Sequence, residues 1–245
     1  MHMRGLLLGI LPCRGRKEVT LECVKRLVYT APLETFPWKL VTVSGREDKD
    51  IVNATAKLGA IPLVDESRNR LTYWEALQYA TDKFTDFPLI ANLANDLLPG
   101  GKWLQKGLIA YDKTIGRDNT GLVGFNGDSH GPEDACHFII HRKLLKQYGG
   151  WPTWYNHNFG DAELCQRASD DKKYFKAPWA LLYHNHAYFY GEERNDRVYK
   201  EGRKFEQEDQ ALFQKRKAAG WPDVRSQQQN DKLEFVIQKP ETIVI

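Results

Sequence analysis

The chain has 245 residues, of which 42% are hydrophobic, 27% charged and 12% aromatic, proportions that fit a folded domain and exclude a disordered polar chain. The formal net charge is only +3, from 35 basic and 32 acidic residues, which excludes the large basic field of a general nucleic-acid-binding protein. Four cysteines without CxxC spacing argue against a zinc site or a disulfide framework, and we predict a cytoplasmic protein.

The chain opens on the apolar run GLLLGIL, which is followed at once by Pro12 and a basic stretch. A signal peptide would end in a small-residue cleavage site, so this run is better interpreted as a buried first strand. No apolar run approaches the roughly 20 residues that a membrane-spanning helix needs. The sequence therefore predicts no transmembrane segment.

The first half alternates short apolar strands with amphipathic helical patterns. Its predicted strands cover residues 5–11, 38–43, 61–64 and 87–94, and the intervening helices cover 17–28, 51–58 and about 71–84. Strands joined by crossover helices are typical of a parallel sheet. We therefore predict an α/β fold with a mainly parallel central sheet flanked by helices.

The second half is predicted to be α+β, followed by a polar tail. Its predicted elements are strands at 121–125 and 136–140, a helix from 141 to the glycine pair at 149–150, a short helix at 161–169, strands near 174–176 and 180–183, and a charged helix at about 195–219. We interpret residues 220–245 as a tail that contains at most one edge strand.

The segment LIANLANDLLPGGKWL, residues 89–104, places Asp96 just beyond an apolar strand and before a Pro-Gly-Gly turn. Polar side chains at the carboxyl end of a strand lie where open α/β sheets bind ligands. A carboxylate there suits Mg²⁺ or Mn²⁺, which prefer oxygen ligands and bridge to phosphates. The alternative is that Asn95 and Asp96 simply form a turn, as such residues often do.

Two further segments carry candidate functional side chains. In NFGDAELCQRA, Asp161 and Glu163 open a short helix, where acidic residues also act simply as helix-stabilising groups. In APWALLYHNHAYF, His184 and His186 lie at the end of an apolar strand and project to the same side. Imidazole is a good ligand for ions such as Mn²⁺, although a histidine pair is more often a hydrogen-bonded surface feature.

Five segments follow one another along the chain in a characteristic order: LGILPCRGR, LANDLLPGGKWL, ACHFIIHRKLLKQYGGWP, GDAELCQRA and YFKAPWALLYHNH. In this order they resemble glycosyltransferase family two, whose members have the GT-A fold, over about residues 4–190. The resemblance implies one GT-A domain over residues 1–219, with a nucleotide-sugar half at about 1–100 and an acceptor half at about 101–219, before the tail at 220–245.

The resemblance also implies a function, that of a metal-dependent, inverting glycosyltransferase. The sugar would move from a nucleotide-diphosphate donor, with a UDP-sugar favoured, to a hydroxyl of a saccharide or another glycoconjugate. Asp96 would bind Mn²⁺ or Mg²⁺ with His184, for which His186 competes, and Asp161 would be the catalytic base. Ala94 departs from the family pattern, since a first aspartate can stand at that position.

Other residues are expected to bind the two substrates. The candidates for donor binding are Pro12, Arg14, Arg16, Ser44, Asn95 and Arg167, and those for acceptor binding are Trp151, Trp154, Tyr155 and Glu163. Arginines after a strand are commonly just solvated, and Trp151 after a glycine helix stop could instead pack in the core. Glu47 and Asp48 are alternatives to Ser44 as the nucleotide-binding residue expected after the second strand. In the polar loop 125–134 the weaker candidates are Asp128, His130 and Asp134.

The sequence bears on four other functions. A nucleotidyltransferase would need a glycine-rich loop after the first strand, and a dinucleotide oxidoreductase would need G-x-G-x-x-G there; LPCRGR provides neither. A non-catalytic sugar-nucleotide-binding module is disfavoured by the presence of both the metal-binding aspartate and the candidate base. A transferase acting on a hydroxymethylated DNA base remains an alternative because the late helix is locally basic. Its basic residues are Lys200, Arg203, Lys204, Lys215, Arg216 and Lys217.

Overall fold

The computed structural model describes residues 7–31, 37–116, 119–127, 134–185 and 197–222. The strands are β1 Leu7–Pro12, β2 Trp38–Gly45, β3 Ile61–Asp65, β4 Leu89–Asn92, β5 Leu97–Pro99, β6 Leu122–Asn126, β7 Phe138–His141 and β8 Tyr174–His184. The α-helices in these ranges are α1 Lys17–Thr30, α2 Lys49–Thr55, α3 Tyr73–Lys83, α4 Trp103–Thr114, α5 Arg142–Gln147, α6 Gly160–Asp170, α7 Arg197–Arg203 and α8 Glu206–Ala218. The predicted tail beyond residue 222 lies outside the described residues.

The eight strands form one mixed sheet in the order β3-β2-β1-β4-β7-β6-β8-β5. Strands β1 to β4 pair in parallel, as predicted, because helices cross over between them. The later strands β7, β6 and β5 introduce antiparallel pairs, while β6 and β8 are again parallel. The parallel prediction therefore holds for the first half, and the second half is mixed.

The core lies on both faces of the sheet. Alternate residues of β1 point to opposite faces, so that Leu7 and Leu11 join one buried cluster while Leu8 and Ile10 join the other. Helices α1 and α4 cover the first face, and α3, α5 and α6 cover the second. A strand that is buried on both faces reads as a continuous apolar run, which is why GLLLGIL is not alternating.

Three elements differ from the sequence-based predictions. The two short strands predicted near 174–183 are one strand, β8, which pairs with β6 and then, beyond a bulge opposite Phe125 and Asn126, with β5. Strand β5 itself was not predicted. The late charged helix is two helices, α7 and α8, because the chain turns at Phe205, whose N–H bonds to the carbonyl of Gly202 at 3.2 Å.

Among the described residues, no helix is both long enough and apolar enough to span a lipid bilayer.

Candidate active site

A cavity of about 350 Å³ opens at the carboxyl ends of β1, β2 and β4. Ligands of open α/β sheets bind at this edge, where loops leave the strands. Its walls come from both halves of the chain, and α7 together with the first residue of α8 covers one side. The sequence-predicted residues that line it are Pro12, Arg14, Arg16, Ser44, Asn95, Asp96, Asp161 and His184.

The loop after β1 brings two arginines to the cavity. Arg16 directly precedes α1 in a left-handed conformation, with φ 62°, which is uncommon for residues other than glycine. The preceding Gly15 also has a positive φ, and its N–H donates to Asp48 Oδ1 at 3.0 Å. This tight turn places Arg14 and Arg16 in the same cavity wall.

Asp96 lies between β4 and β5 and is only 4% exposed. Arg16 Nη1 donates to its Oδ2 at 2.8 Å, and the Tyr199 hydroxyl donates to the same oxygen. On the other oxygen, His184 Nε2 lies 2.9 Å from Oδ1. Burial alone would raise the pKa of Asp96, but the charges of His184 and Arg16 outweigh burial and hold it well below its usual range.

The sheet itself brings Asp96 and His184 together. Strand β5 begins directly after Asp96, and its Leu97 stands opposite His184 in the antiparallel pair with β8. The N–H of Asn185 then donates to the Asp96 carbonyl at 3.0 Å. The short strand that was not predicted is thus what places the histidine beside the aspartate. His186, the competing candidate, lies outside the described residues.

Asp96 and His184 offer one oxygen and one nitrogen donor side by side at the cavity wall. This donor set fits Mn²⁺ or Mg²⁺, provided that phosphate and water oxygens complete the coordination shell. No group of three or more His, Cys, Asp or Glu side chains that could hold a metal occurs in the described ranges. The residues therefore fit a cation that is shared with a bound diphosphate.

Asp161 lies in the first turn of α6, and its Oδ1 accepts a hydrogen bond from the N–H of Ala162 at 3.0 Å. Burial, with a smaller contribution from the negative charge of Asp134, raises the pKa of Asp161 to about 7. Asp134, one of the weaker sequence candidates, also lines the cavity. A carboxyl group with a pKa near neutrality is suited to proton transfer. The other two loop candidates, Asp128 and His130, lie outside the described residues.

The start of α6 is fixed by close packing. Phe159 precedes the helix in the left-handed region, with φ 67°. A Cβ at Gly160 would lie 2.5 Å from the ring of Trp74 and 2.6 Å from Pro152. Only glycine lets the helix begin this close to α3, and this packing sets the position of Asp161 in the cavity wall.

Ser44 and Asn95, two of the residues predicted to bind the donor, both line the cavity. The amide of Asn95 donates to Thr20 Oγ1 of α1 at 3.1 Å. Ser44 ends β2 and is only 2% exposed. Its hydroxyl finds no hydrogen-bond partner within the portion of the chain that the structure describes. A buried hydroxyl without a protein partner at a cavity wall can form a hydrogen bond to a ligand or to water.

Five predicted substrate-binding residues lie elsewhere. Glu163 is fully buried, and its carboxylate accepts hydrogen bonds from Arg216 of α8 at 2.7 and 2.8 Å. The Tyr155 hydroxyl donates to Glu163 Oε2 at 2.8 Å, and Trp154 Nε1 donates to the same oxygen at 3.3 Å. Arg167 Nη1 donates to Glu163 Oε1 at 3.2 Å. Together with Arg216, these four side chains form a largely buried network that is not part of the cavity wall.

Trp151 is the fifth predicted substrate-binding residue that lies outside the cavity wall. It is fully buried, and its Nε1 donates to Thr81 Oγ1 of α3 at 2.7 Å. Like the four residues around Glu163, it is not part of the cavity wall, so the assignment of these five residues to substrate binding stays a prediction that the cavity does not support. The aromatic and polar composition of 150–160 resembles a sugar-binding loop but here satisfies buried groups.

Several cavity residues were missed by the sequence analysis. Tyr73 and Trp74 lie in the first turn of α3, which Thr72 and Glu75 cap reciprocally. The TYWE capping box could have placed both aromatic residues at this sheet edge. His137 packs against His184 with ring centroids 5.0 Å apart, and Tyr199 reaches Asp96 from α7. No local pattern in the sequence identifies these last two contacts.

Neither a family-model scan nor a search of curated proteins finds a match for this chain. Solved structures do match. A mannosyltransferase of Pyrobaculum calidifontis in complex with GDP-Man and Mn²⁺ has a TM-score of 0.58 at 16% identity, over 74% of this chain and 57% of that one. The catalytic domain of Drosophila β1,4-galactosyltransferase 7, in complex with xylobiose, has a TM-score of 0.54 at 16% identity, over 78% and 74%. The fold is the GT-A fold.

A third GT-A match is residues 1–349 of S. aureus TarS in complex with UDP, with a TM-score of 0.57 at 11% identity, over 72% of this chain and 59% of that one. The chain thus spans less than two thirds of the mannosyltransferase and TarS chains. The matches confirm the predicted GT-A architecture. They establish the fold, and the functional assignment depends on the site itself.

Proposed function

We propose that this protein is a nucleotide-sugar-dependent glycosyltransferase that works by a single displacement with inversion. The observation that carries the proposal is that one cavity holds both the Asp96–His184 pair and Asp161, whose pKa is about 7. The Asp96–His184 pair is suited to stabilise a departing diphosphate through a cation. Asp161 is suited to accept the proton of an acceptor hydroxyl. Sugar transfer requires both functions in one cavity.

The donor is proposed to be a UDP-sugar, with a GDP-sugar as the next candidate. The matching structures contain GDP-Man, UDP-Gal or UDP, which supports a nucleotide-diphosphate sugar without selecting the base. Ser44, with its buried hydroxyl, would bind the nucleoside end. Arg14 and Arg16 would meet the diphosphate, because guanidinium groups recognise phosphate oxygens by paired hydrogen bonds.

A divalent cation, Mn²⁺ or Mg²⁺, would be held by Asp96 and His184, and when bound it would supply electrostatic stabilisation to the leaving diphosphate. Asp96 is suited to this position because its low pKa keeps the carboxylate ionised. Two of the matching structures contain manganese, which supports the choice of ion. The residues of the chain would orient the diphosphate and exclude water from the buried carboxylate.

Asp161 would accept the proton of the acceptor hydroxyl. Such a base typically contributes about 10²–10⁴ in rate, and it works best when its pKa lies near the working pH. The acceptor is proposed to be a saccharide, which the xylobiose complex of the Drosophila enzyme supports by analogy. The DNA alternative has no support from the comparisons, and Arg216, one of its basic residues, is buried against Glu163.

The test is a screen of UDP-, GDP- and dTDP-sugars with Mn²⁺, in which donor binding is measured by calorimetry and turnover by nucleotide release. We expect Asp161→Asn to lower turnover at least about 10²-fold while donor binding is retained. Asp96→Asn is expected to lower both turnover and manganese-dependent donor binding. The matched control is Asp86→Asn, at an exposed aspartate on the loop before β4.

Three results would overturn the proposal. Failure of the wild-type protein to bind or turn over any of these donors would exclude a nucleotide-sugar enzyme. Turnover that survives in Asp161→Asn would remove the proposed base. A protein that binds a donor but turns none over, with or without Asp161, would instead be a non-catalytic binding module.

A further inference from the structure

Helix α7 lies directly over the cavity that is proposed to bind the donor. Val198, Tyr199 and Arg203 of α7 line this cavity, as does Glu206 at the start of α8. The remainder of the cavity wall comes from the sheet edge, from α3 and α6, and from the loops that contain residues 14–16, 134–137 and 157–159. Helix α7 thus occupies space at the site, where its side chains contact the residues that are proposed to bind the donor.

Tyr199 makes the most specific of these contacts. It is only 6% exposed, and its hydroxyl donates to the same Asp96 oxygen that receives Arg16. The Arg16 guanidinium also lies 3.9 Å from the centroid of the Tyr199 ring. Tyr199 therefore binds both the carboxylate proposed to hold the cation and an arginine proposed to meet the diphosphate.

Glu201, two residues further on, binds the other arginine of the β1 loop. Its Oε2 accepts a hydrogen bond from Arg14 Nη2 at 2.6 Å and lies 3.5 Å from Arg70 Nη1. Glu201 is not itself part of the cavity wall, but its carboxylate holds the cavity-lining Arg14 by the same kind of hydrogen bond with which a guanidinium group binds phosphate. Helix α7 thus offers the donor-binding groups substitutes for the ligands that they would otherwise bind.

Helix α8, in contrast, is anchored to the loop that precedes α6 and to α6 itself. The Asp209 carboxylate accepts hydrogen bonds from the backbone N–H groups of Asn156 at 2.9 Å and of His157 and Asn158 at 2.8 Å. Arg216 then pairs with the buried Glu163. The turn at Phe205 separates this anchored helix from α7, whose ion pairs reach the donor side.

We propose that α7 is an internal competitor of the donor and leaves the cavity when the nucleotide and its cation bind. The proposal rests on the proposed function, since it takes Asp96 and the β1-loop arginines to be donor-binding groups. Tyr199 holds the carboxylate that the cation needs, and Glu201 holds an arginine that the diphosphate needs. Weakening either contact therefore raises the affinity of the site for its ligands.

The test measures ligand binding to the full chain and to single variants. Mn²⁺ alone, Mn²⁺ with UDP, and Mn²⁺ with GDP are titrated by calorimetry. Tyr199→Phe keeps the ring over Arg16 and removes only the hydroxyl, so we expect Mn²⁺ to bind about tenfold more tightly. Glu201 is more exposed than Tyr199, so its ion pair with Arg14 is weaker. We therefore expect Glu201→Gln to bind the nucleotide only about threefold more tightly.

The matched controls are Tyr183→Phe, on an exposed part of β8, and Glu22→Gln, whose partner is the exposed Arg26. Both are expected to bind all three probes as the wild-type protein does. Hydrogen–deuterium exchange gives a second measurement. The amides of 197–203 should exchange faster when Mn²⁺ and the nucleotide are bound, while those of 206–218 should not change.

Weaker or unchanged binding in both variants would overturn the proposal, as would unchanged protection of 197–203 on nucleotide binding. These results differ from a failure of the proposed function. If Tyr199→Phe tightens Mn²⁺ binding but no nucleotide sugar is turned over, the internal competition stands and the function falls. If the wild-type protein transfers sugar and the variants bind no tighter, the function stands and the competition falls.

Discussion

Arg216 donates two hydrogen bonds to the carboxylate of Glu163, and the two side chains are 4% and 0% exposed. The pair joins α8 to α6, the helix that carries Asp161. Glu163 looks like a substrate-binding residue in the sequence because it lies two positions after the candidate base. Its partner gives it a structural role, since the ion pair holds α8 against α6.

This pair leads to a stability prediction. Arg216→Ala leaves a buried carboxylate without its main partner, and we expect the free energy of unfolding to fall by about 3–5 kcal/mol. Urea denaturation followed by circular dichroism would measure it. The matched control is Arg26→Ala, which breaks the exposed pair with Glu22 and should leave stability unchanged. A loss in Arg216→Ala no larger than that of the control would contradict the structural role.

The pH dependence of turnover should report Asp161. Because only the ionised carboxylate accepts a proton, kcat/KM is expected to rise with pH and level off above the Asp161 pKa of about 7. The charge of Asp134 contributes to that pKa, so Asp134→Asn should move the rise to lower pH. Initial rates across the pH range would measure the shift. An identical profile in Asp134→Asn would show that the two carboxyl groups do not interact.

Asp161 should also lower stability at neutral pH. Its pKa is about 7 in the fold, against an ordinary value of 3.8, so the folded state holds this proton more tightly than the unfolded chain does. The stability that the folded state gains from this bound proton is present in full at low pH and is lost as pH rises through about 7. Asp161→Asn removes this dependence. Its Tm relative to wild type should therefore increase between about pH 4 and pH 7 and then stay constant. A difference that does not change with pH would argue against the raised pKa.

Gly160 should tolerate no side chain. A methyl group there would overlap the Trp74 ring and Pro152, and we expect Gly160→Ala to cost about 1–3 kcal/mol and to impair turnover by displacing the start of α6. The matched control is Gly101→Ala, since a Cβ at Gly101 meets nothing within 4 Å. Thermal unfolding and kcat would be measured for both. Equal stability of the two variants would show that α6 has room to move.

The first half of the fold could be predicted closely from the sequence. Strand β2 was predicted at 38–43 and spans Trp38–Gly45, and α1 was predicted at 17–28 and spans Lys17–Thr30. Local hydrophobic periodicity suffices where each element buries one continuous face. It failed for β5, which has only three residues and exists because β8 pairs with it.

The sequence by itself determined which residue types stand at strand ends and helix starts, and so it named Asp96, Asp161 and His184 as candidates. Only the tertiary structure decided which of the candidates share a cavity. Burial and long-range pairing made Glu163 and Trp151 part of the core, and they brought Tyr199 onto Asp96. The physical reason is that local patterns encode backbone conformation and burial, whereas the contacts of a polar side chain depend on elements far away in the chain.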